Sequence, residues 1–434
     1  MYGKLGYRLV NEFHGRAAGS IRMQVFPAWA CVRLAHSGTI FGVAPRIRFN
    51  GQRLTRLKVR NWRNFREAEV YLSQRAFFVG PNAVGKSNLL DAVRFLRDLV
   101  KPVGGGLSAA VAERGGIGSL RCLQARGHRT EVEIEADVGT DEQPKLWSYH
   151  LSFTRARNES FVSVRDEQVW HLGRQVQSLR RGIDKDGLKY SQTLIQQVSA
   201  NESFRELSIF FNSIRYLHVV PQIVRDPRRT LDKGEDPYGG DLLRRINETP
   251  RRTREARLRR IGEALKIAVP QFVELRLDHD TEGRPHLSAG FKLWRPRPSF
   301  QTEEVFSDGT LRLMGFLWSV AEPAGPLLLE EPELSLHQEV ALQLPAMIAR
   351  MQRHSGRQVL ITTHSEAITG GTGIGLGEVH RLVPGDDGTT VETASDNEKV
   401  RQLVASGLTV GEAVMPLAKA KGIEQLSLFD VAGG

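Results

Sequence analysis

Cysteine is scarce in this chain. Cys31 and Cys122 are the only two in 434 residues, and neither stands at a metal-ligand spacing. That argues against a disulfide framework or a zinc site, and it fits a reducing, cytoplasmic setting. No apolar run approaches the roughly 18–20 residues that span a bilayer, so no membrane partner is expected. Residues 88–306 show no sustained heptads, which excludes long coiled-coil arms. Hydrophobic residues make up 40% and charged residues 25%, the balance of an ordinary soluble protein. The net charge is +11. Such a surplus suits a polyanion, nucleic acid first and an anionic membrane second, although Arg dominates it, as in any chain from an Arg-rich proteome.

One stretch organises the rest: Gly80-Pro81-Asn82-Ala83-Val84-Gly85-Lys86-Ser87, the pattern G-x-x-x-x-G-K-[ST]. Residues 75–79 before it read as a short apolar strand. Residues 88–100 after it, beginning with Asn88, read as a helix with Leu89, Leu90, Val93, Leu96, Leu99 and Val100 on one face. Two glycines let the backbone curl round an anion, with amide N–H groups and the helix N-terminus facing phosphates. Lys86 is expected to reach the β- and γ-phosphates, and Ser87 to ligate Mg²⁺.

Residues 1–52 keep no period and are expected to be a poorly ordered extension, with Met23 as an alternative start; an authentic N-terminal arm is the competing reading. An N-terminal lobe is expected over 53–170. Strands are expected at 54–59 and 68–72, joined by a turn through Phe65 and Arg66. Those two residues are candidates for the base and phosphates, with Phe65 as plain core equally open. Residues 102–118 read as a Gly- and Ala-rich mobile loop. Strands are expected at 130–138, 146–154 and 161–170. A helical, basic insertion is expected over 171–300, with a helix at 190–211, a strand at 213–220, a cationic helix at 253–268 and paired strands at 272–277 and 285–293. The arginine doublets at 244–245, 251–252 and 259–260 read either as a track for a nucleic-acid backbone or as a solvated face with i,i+4 ion pairs.

Nucleotide chemistry returns in a C-terminal lobe over 301–395, followed by a tail at 396–434. Phe306-Ser307-Asp308-Gly309-Thr310 precedes an apolar helix. Pro326-Leu327-Leu328-Leu329-Glu330-Glu331 is an apolar strand closed by two acids and followed by Pro332-Glu333. A strand at 358–362 runs into Thr363-His364-Ser365. Adjacent carboxylates at a strand end are costly unless a cation sits there, and Mg²⁺ and Lys86 would supply it. Glu330 is placed to hold Mg²⁺ through water, and Glu331 to orient or deprotonate the attacking water.

In order and spacing, these motifs over about residues 54–395 resemble the ABC-type ATPases of the RecF/SMC-like branch, close to the ATPase half of OLD-family proteins. The resemblance implies an α/β P-loop NTPase: an ABC-type head with a mixed central sheet, an antiparallel β subdomain and a helical insertion. It implies that His364 contacts the γ-phosphate. It also implies that Ser307 and Gly309 bind the γ-phosphate of a facing copy, so that a homodimer sandwiches two ATP molecules, with Ser335 and His337 in a loop crossing the interface. Asp308 departs from the transporter pattern and would repel phosphate unless turned aside to cap its helix. Glu330 replaces an aspartate, as elsewhere in this branch. The glutamine loop is not legible, Gln222 and Gln124 being weak candidates. After His364 the chain shows no acidic metal motif of a Toprim nuclease, so a nuclease effector is expected as a separate protein.

Gln425-Leu426-Ser427-Leu428-Phe429 resembles the bacterial sliding-clamp-binding pentapeptide; packing of this segment on its own domain is the alternative. The expectation as a whole is an ATP-hydrolysing, nucleic-acid-associated switch in DNA repair or anti-phage defence. A membrane-transporter ATPase and a non-catalytic ATP-binding scaffold are the other readings.

Overall fold

A computed structural model of the chain describes residues 51–124, 130–155, 161–182, 187–226, 235–292, 298–322, 325–371 and 373–419. Of the extension expected over residues 1–52, residues 1–50 lie outside them, as does the pentapeptide at 425–429. The described residues form three sheets built from fifteen strands, β1 (Arg53–Trp62), β2 (Phe65–Tyr71), β3 (Arg75–Val79), β4 (Val132–Gly139), β5 (Trp147–Thr154), β6 (Ser163–His171), β7 (Arg174–Arg180), β8 (Arg215–Leu217), β9 (Phe272–His279), β10 (Pro285–Phe291), β11 (Ser299–Thr302), β12 (Leu327–Glu330), β13 (Val359–Thr362), β14 (Val379–Val383) and β15 (Thr390–Thr393).

The central sheet runs β15-β14-β3-β13-β12-β8. All its pairings are parallel except β14 with β15. Its strands are short and apolar because both faces are covered, as a parallel sheet requires. In β3, Ala76 and Phe78 point into one core and Phe77 and Val79 into the other. Leu328, Leu360 and Leu382 share the first core, and Leu327, Leu329, Val359, Ile361 and Val379 the second. The period-2 alternation of strand side chains thus divides the molecule into two layers.

The first core holds the P-loop helix Lys86–Val100 and the antiparallel sheet β2-β1-β4-β5-β6-β7. Phe95 ties them together, edge-on to Trp62 and stacked on Phe153, each at 5.3 Å. The Trp62 indole N–H donates to the Asn88 carbonyl at 2.8 Å. The second core gathers the helices Arg251–Ala268, Asp308–Ala321 and Gln338–Ser355. The small sheet β11-β10-β9 lies against it through Leu287 and Ala289.

Three expectations needed correction. The stretch 190–211 is helical only over Arg205–Asn212, after two 3₁₀ turns. Upstream, side chains take the backbone groups that a helix would use. Glu167 accepts from Leu194 and Ile195 N–H, and Asn201 donates to the Ile195 carbonyl. Residues 102–118, read as a mobile loop, contain the helix Leu107–Ala112 and the start of Ile117–Leu120, with Leu107, Ala110 and Val111 buried. Strand 213–220 contracts to β8. The sequence RQVQSLR of β7 gave no strand signal, because this edge strand is exposed on both faces and lacks apolar alternation.

Glu167 is fully buried and also accepts from the Tyr149 hydroxyl at 3.0 Å. Burial pushes its carboxyl from 4.5 up to about 7, although these donors oppose the rise. The native state therefore binds a proton that the unfolded state releases above its lower pKa. The stabilisation from this group is full below pH 4.5 and is lost as pH rises through about 7. Chemical denaturation of wild type and Glu167→Gln should show wild type losing, relative to the variant, roughly 2–3 kcal/mol between pH 5 and 8. A pH-independent difference contradicts the assignment.

Candidate functional site

Parallel register sets the site. Phe78 pairs with Thr362 and with His380, and Glu330 pairs with Thr362. The carboxyl ends of β3, β12 and β13 therefore lie side by side, and the segments leaving these strands meet at one edge.

After β3 the P-loop curls through Ala83, at φ 61°, and Gly85, at φ 106°, into its helix. Gly85 is required twice over. Its φ lies in the left-handed region, and a Cβ there would stand 2.1 Å from the Asn64 amide nitrogen. Asn64 underpins the loop: its amide donates to the Val84 carbonyl and, at 2.7 Å, to the Thr389 hydroxyl. Thr389 in turn donates to the same carbonyl at 2.8 Å, and Asn88 donates to Asn64 Oδ1 at 2.9 Å. Gly80 packs beneath Leu382, Pro81 is half-buried, and Asn82, Ala83 and Ser87 are exposed.

Lys86 is 6% exposed. Its ammonium donates to the carbonyls of Gly80 and Pro81 at 3.0 and 3.1 Å, and lies 3.3 Å from His364 Nδ1. Burial lowers its pKa to about 8, against the pull of Glu331, Glu330 and Glu333. The far nitrogen of the same imidazole, Nε2, is 2.9 Å from Glu331. The network assigns the proton to Nε2, leaving Nδ1 to accept from Lys86. Hydrogen bonding by His364 holds the Glu331 carboxyl below its ordinary value.

Glu330 closes β12. Its carboxylate accepts from the Ser87 hydroxyl on one oxygen and the Tyr216 hydroxyl on the other. Burial, then the Glu330 charge, push the Tyr216 phenol up, which keeps it a donor. Arg94 lies over the Tyr216 ring at 5.5 Å. Ser87 and Glu330 offer hard oxygen ligands side by side, the donor set that Mg²⁺ takes. Glu331 stands at φ 43°, its N–H bonded to the Thr362 carbonyl at 3.0 Å. A non-glycine residue in that region is strained by about 1–3 kcal/mol, and the conformation aims its carboxylate at His364. Glu333 accepts from the Thr363 hydroxyl and from the His364 N–H, fixing that turn; burial pushes its carboxyl up.

Ser307 caps the helix Asp308–Ala321, accepting from Thr310 N–H at 3.2 Å, and its side chain is exposed. The cap is thus Ser307 and not Asp308. Asp308 turns instead to Arg225 at 2.6 Å, while Arg225 also binds the Phe306 carbonyl. A Cβ on Gly309 would stand 2.5 Å from the Ser335 carbonyl, so this turn and the Ser335 loop touch. Exposed His337 caps the helix Gln338–Ser355. Among the described residues no hydrogen bond joins Ser307 or Gly309 to the Lys86–His364–Glu331 group.

Phe65 is fully buried, so it is core. Arg66 pairs with Asp387 at 3.3 Å on the surface. Gln222 is exposed on the short helix Pro221–Val224. Asn64, Tyr216, Arg225 and Thr389 escaped the sequence reading. None belongs to a spaced motif, and each reaches the site across a sheet or from a loop distant in sequence.

Residues 75–369, more than half of the chain, match the family described as "AAA domain, putative AbiEii toxin, Type IV TA system". The chain belongs to this AAA-domain family. No curated protein matches it. Among solved structures, an SMC head bound to the C-winged helix domain of ScpA is 14% identical, covers 79% of this chain and 98% of its own, and superposes with a TM-score of 0.51. The SMC head domain from Thermotoga maritima is 15% identical, covering 79% and 98%, with a TM-score of 0.43. The Pyrococcus furiosus SMC head, bound to the C-terminal domain of ScpA, is 12% identical, covering 82% and 100%, at 0.49. The likeness to the first of these gives this AAA-domain protein an SMC-head fold, that of an ABC-type P-loop ATPase. Among its described residues no helix is long and apolar enough to cross a membrane.

If the asparagine buttress presets the loop, Asn64→Ala should weaken binding of a fluorescent ATP analogue by roughly 5- to 50-fold and destabilise folding by about 1–2 kcal/mol. Unchanged affinity would show that the loop holds its shape without Asn64.

Proposed function

We propose that this protein is an ATP-hydrolysing switch that acts as an ATP-sandwiched homodimer on nucleic acid and signals to a separate effector. The observation that carries the reading is the chain Lys86–His364–Glu331 beside the pair Ser87–Glu330, all at one sheet edge. Residues 80–88 cradle the phosphates, with Lys86 supplying the cation. Ser87 and Glu330 are the residues that would hold Mg²⁺, which when bound neutralises phosphate charge. Glu331 accepts the proton of the attacking water. His364 holds Glu331 in place and meets the γ-phosphate. Ser307 and Gly309 present the N-terminus of a fourteen-residue helix to the partner copy's ATP. Neutralisation of Asp308 by Arg225 removes the carboxylate that argued against this role.

Nucleic-acid contact is supported by the overall charge and by Arg251, Arg252, Arg259 and Arg260, all exposed on one helix. Arg251 is ion-paired with Glu255, which leaves the other three as the stronger candidates. The family description, with its Type IV TA system, favours defence over repair as the setting. A sliding clamp as partner of Gln425, Leu426, Ser427, Leu428 and Phe429, and a nuclease as effector, are proposed from sequence alone. No observation favours the transporter reading.

Lys86→Ala should abolish ATP binding. Glu331→Gln should retain it, lower turnover by about 10²- to 10³-fold and accumulate an ATP-dependent dimer in size-exclusion chromatography. Wild-type turnover by Glu331→Gln contradicts the proposal.

A further inference from the structure

The residue that follows β8 sits where no motif placed it. In the parallel pairing of β8 with β12, Tyr216 stands opposite Leu328 and Leu217 opposite Leu329. The next step sets His218 beside Glu330, the last residue of β12. Side chains two apart share a face, so His218 faces the same side as Tyr216, whose hydroxyl already holds the Glu330 carboxylate. His218 Nδ1 is 3.4 Å from the Glu330 main-chain carbonyl. A carbonyl only accepts, so this contact puts the ring proton on Nδ1 and leaves Nε2 a lone pair.

The ring is held from behind. Its own backbone N–H donates to the Pro237 carbonyl at 2.8 Å, and Tyr238 meets its face edge-on at 6.2 Å. His218 is half-buried, and no described residue hydrogen-bonds Nε2. Its contact with the Glu330 carbonyl sets it at the peptide that leads into Glu331. The Glu330–Glu331 pair thus meets two imidazoles that differ in kind. His364 bonds the carboxylate directly, whereas His218 is fixed by main chain and presents an acceptor.

We infer that His218 is a positioning residue for hydrolysis, its Nε2 accepting a hydrogen bond from the water that Glu331 deprotonates and so fixing that water's orientation. The inference rests on the function proposed above and adds one specific contact. A water molecule has two protons: one would go to Glu331 while the other is held by His218. Removing the acceptor leaves ATP binding intact and slows the chemical step.

Steady-state ATPase assays on the full chain test this with wild type, Glu331→Gln, His218→Ala, His218→Gln and His218→Leu in parallel. His218→Ala and His218→Leu should lower kcat about tenfold or more, with KM for ATP within twofold of wild type. His218→Gln, which keeps an acceptor at similar reach, should recover most of kcat. If the alanine variant is unstable in a thermal melt, the Gln and Leu variants, alike in bulk, decide. Equal kcat for Gln and Leu overturns the inference, as does wild-type kcat in His218→Ala. No turnover in wild type overturns both this inference and the function it rests on, whereas turnover lost in Glu331→Gln but kept in the His218 variants overturns this inference alone.

Discussion

Everything at the site depends on four short strands pairing in parallel and in register. β8, β12, β13 and β3 run the same way, so their carboxyl ends share one edge. Each delivers a different chemistry there: imidazole and phenol, paired carboxylates, a threonine–histidine turn and the P-loop. These come from stretches far apart in sequence. A one-residue slip of β12 against β13 would turn Glu330 and Glu331 to the wrong faces, because strand side chains alternate. The burial of apolar side chains on both faces of this sheet prevents that slip, so the cores that stabilise the fold also set the geometry of the candidate site.

Electrostatics then organises the edge. Three acids, Glu330, Glu331 and Glu333, crowd within a few residues, and each is handled differently. Glu330 is bound by two hydroxyls, Glu331 by an imidazole, and Glu333 by a hydroxyl and a main-chain N–H. Lys86 is the nearby cation whose charge they favour, and burial works against them. Backbone strain is found there too: Ala83, Glu331 and Ser335 are non-glycine residues at positive φ, one each in the P-loop, the acid pair and the loop that touches Gly309, while Asn61, Arg63 and Leu172 share that conformation at strand turns. Such conformations persist where the surroundings over-determine them, and here they point side chains that a relaxed chain would aim elsewhere.

The sequence made the P-loop, the acid pair and the histidine turn legible, because each is a contiguous pattern whose strand-then-turn context is also contiguous. The family and the α/β fold followed from their order. Helix 190–211 was misread because its apolar pattern said nothing of Glu167, which reaches across from β6 to take two of its backbone N–H groups. Asn64, Tyr216 and Thr389 were invisible for a related reason. A polar residue that supports a loop from another strand has no local spacing to announce it. Asp308 was recognised as a problem, but its solution, Arg225, lies more than eighty residues away. His218 belongs to no spaced motif either, and nothing in its local sequence sets it apart from Gln222 four residues beyond it.

The central claim is that one active site is shared between two copies, the phosphate loop from one and the serine-capped helix from the other. Mixing Lys86→Ala chains with Ser307→Arg chains tests it most directly. Each variant alone should be inactive, while a mixed dimer contains one intact composite site. The account predicts that ATPase activity returns on mixing, to roughly a quarter of wild type if the sites act independently and chains pair at random. Mixed dimers that form yet stay inactive, or a Ser307→Arg chain that hydrolyses ATP normally by itself, would contradict it.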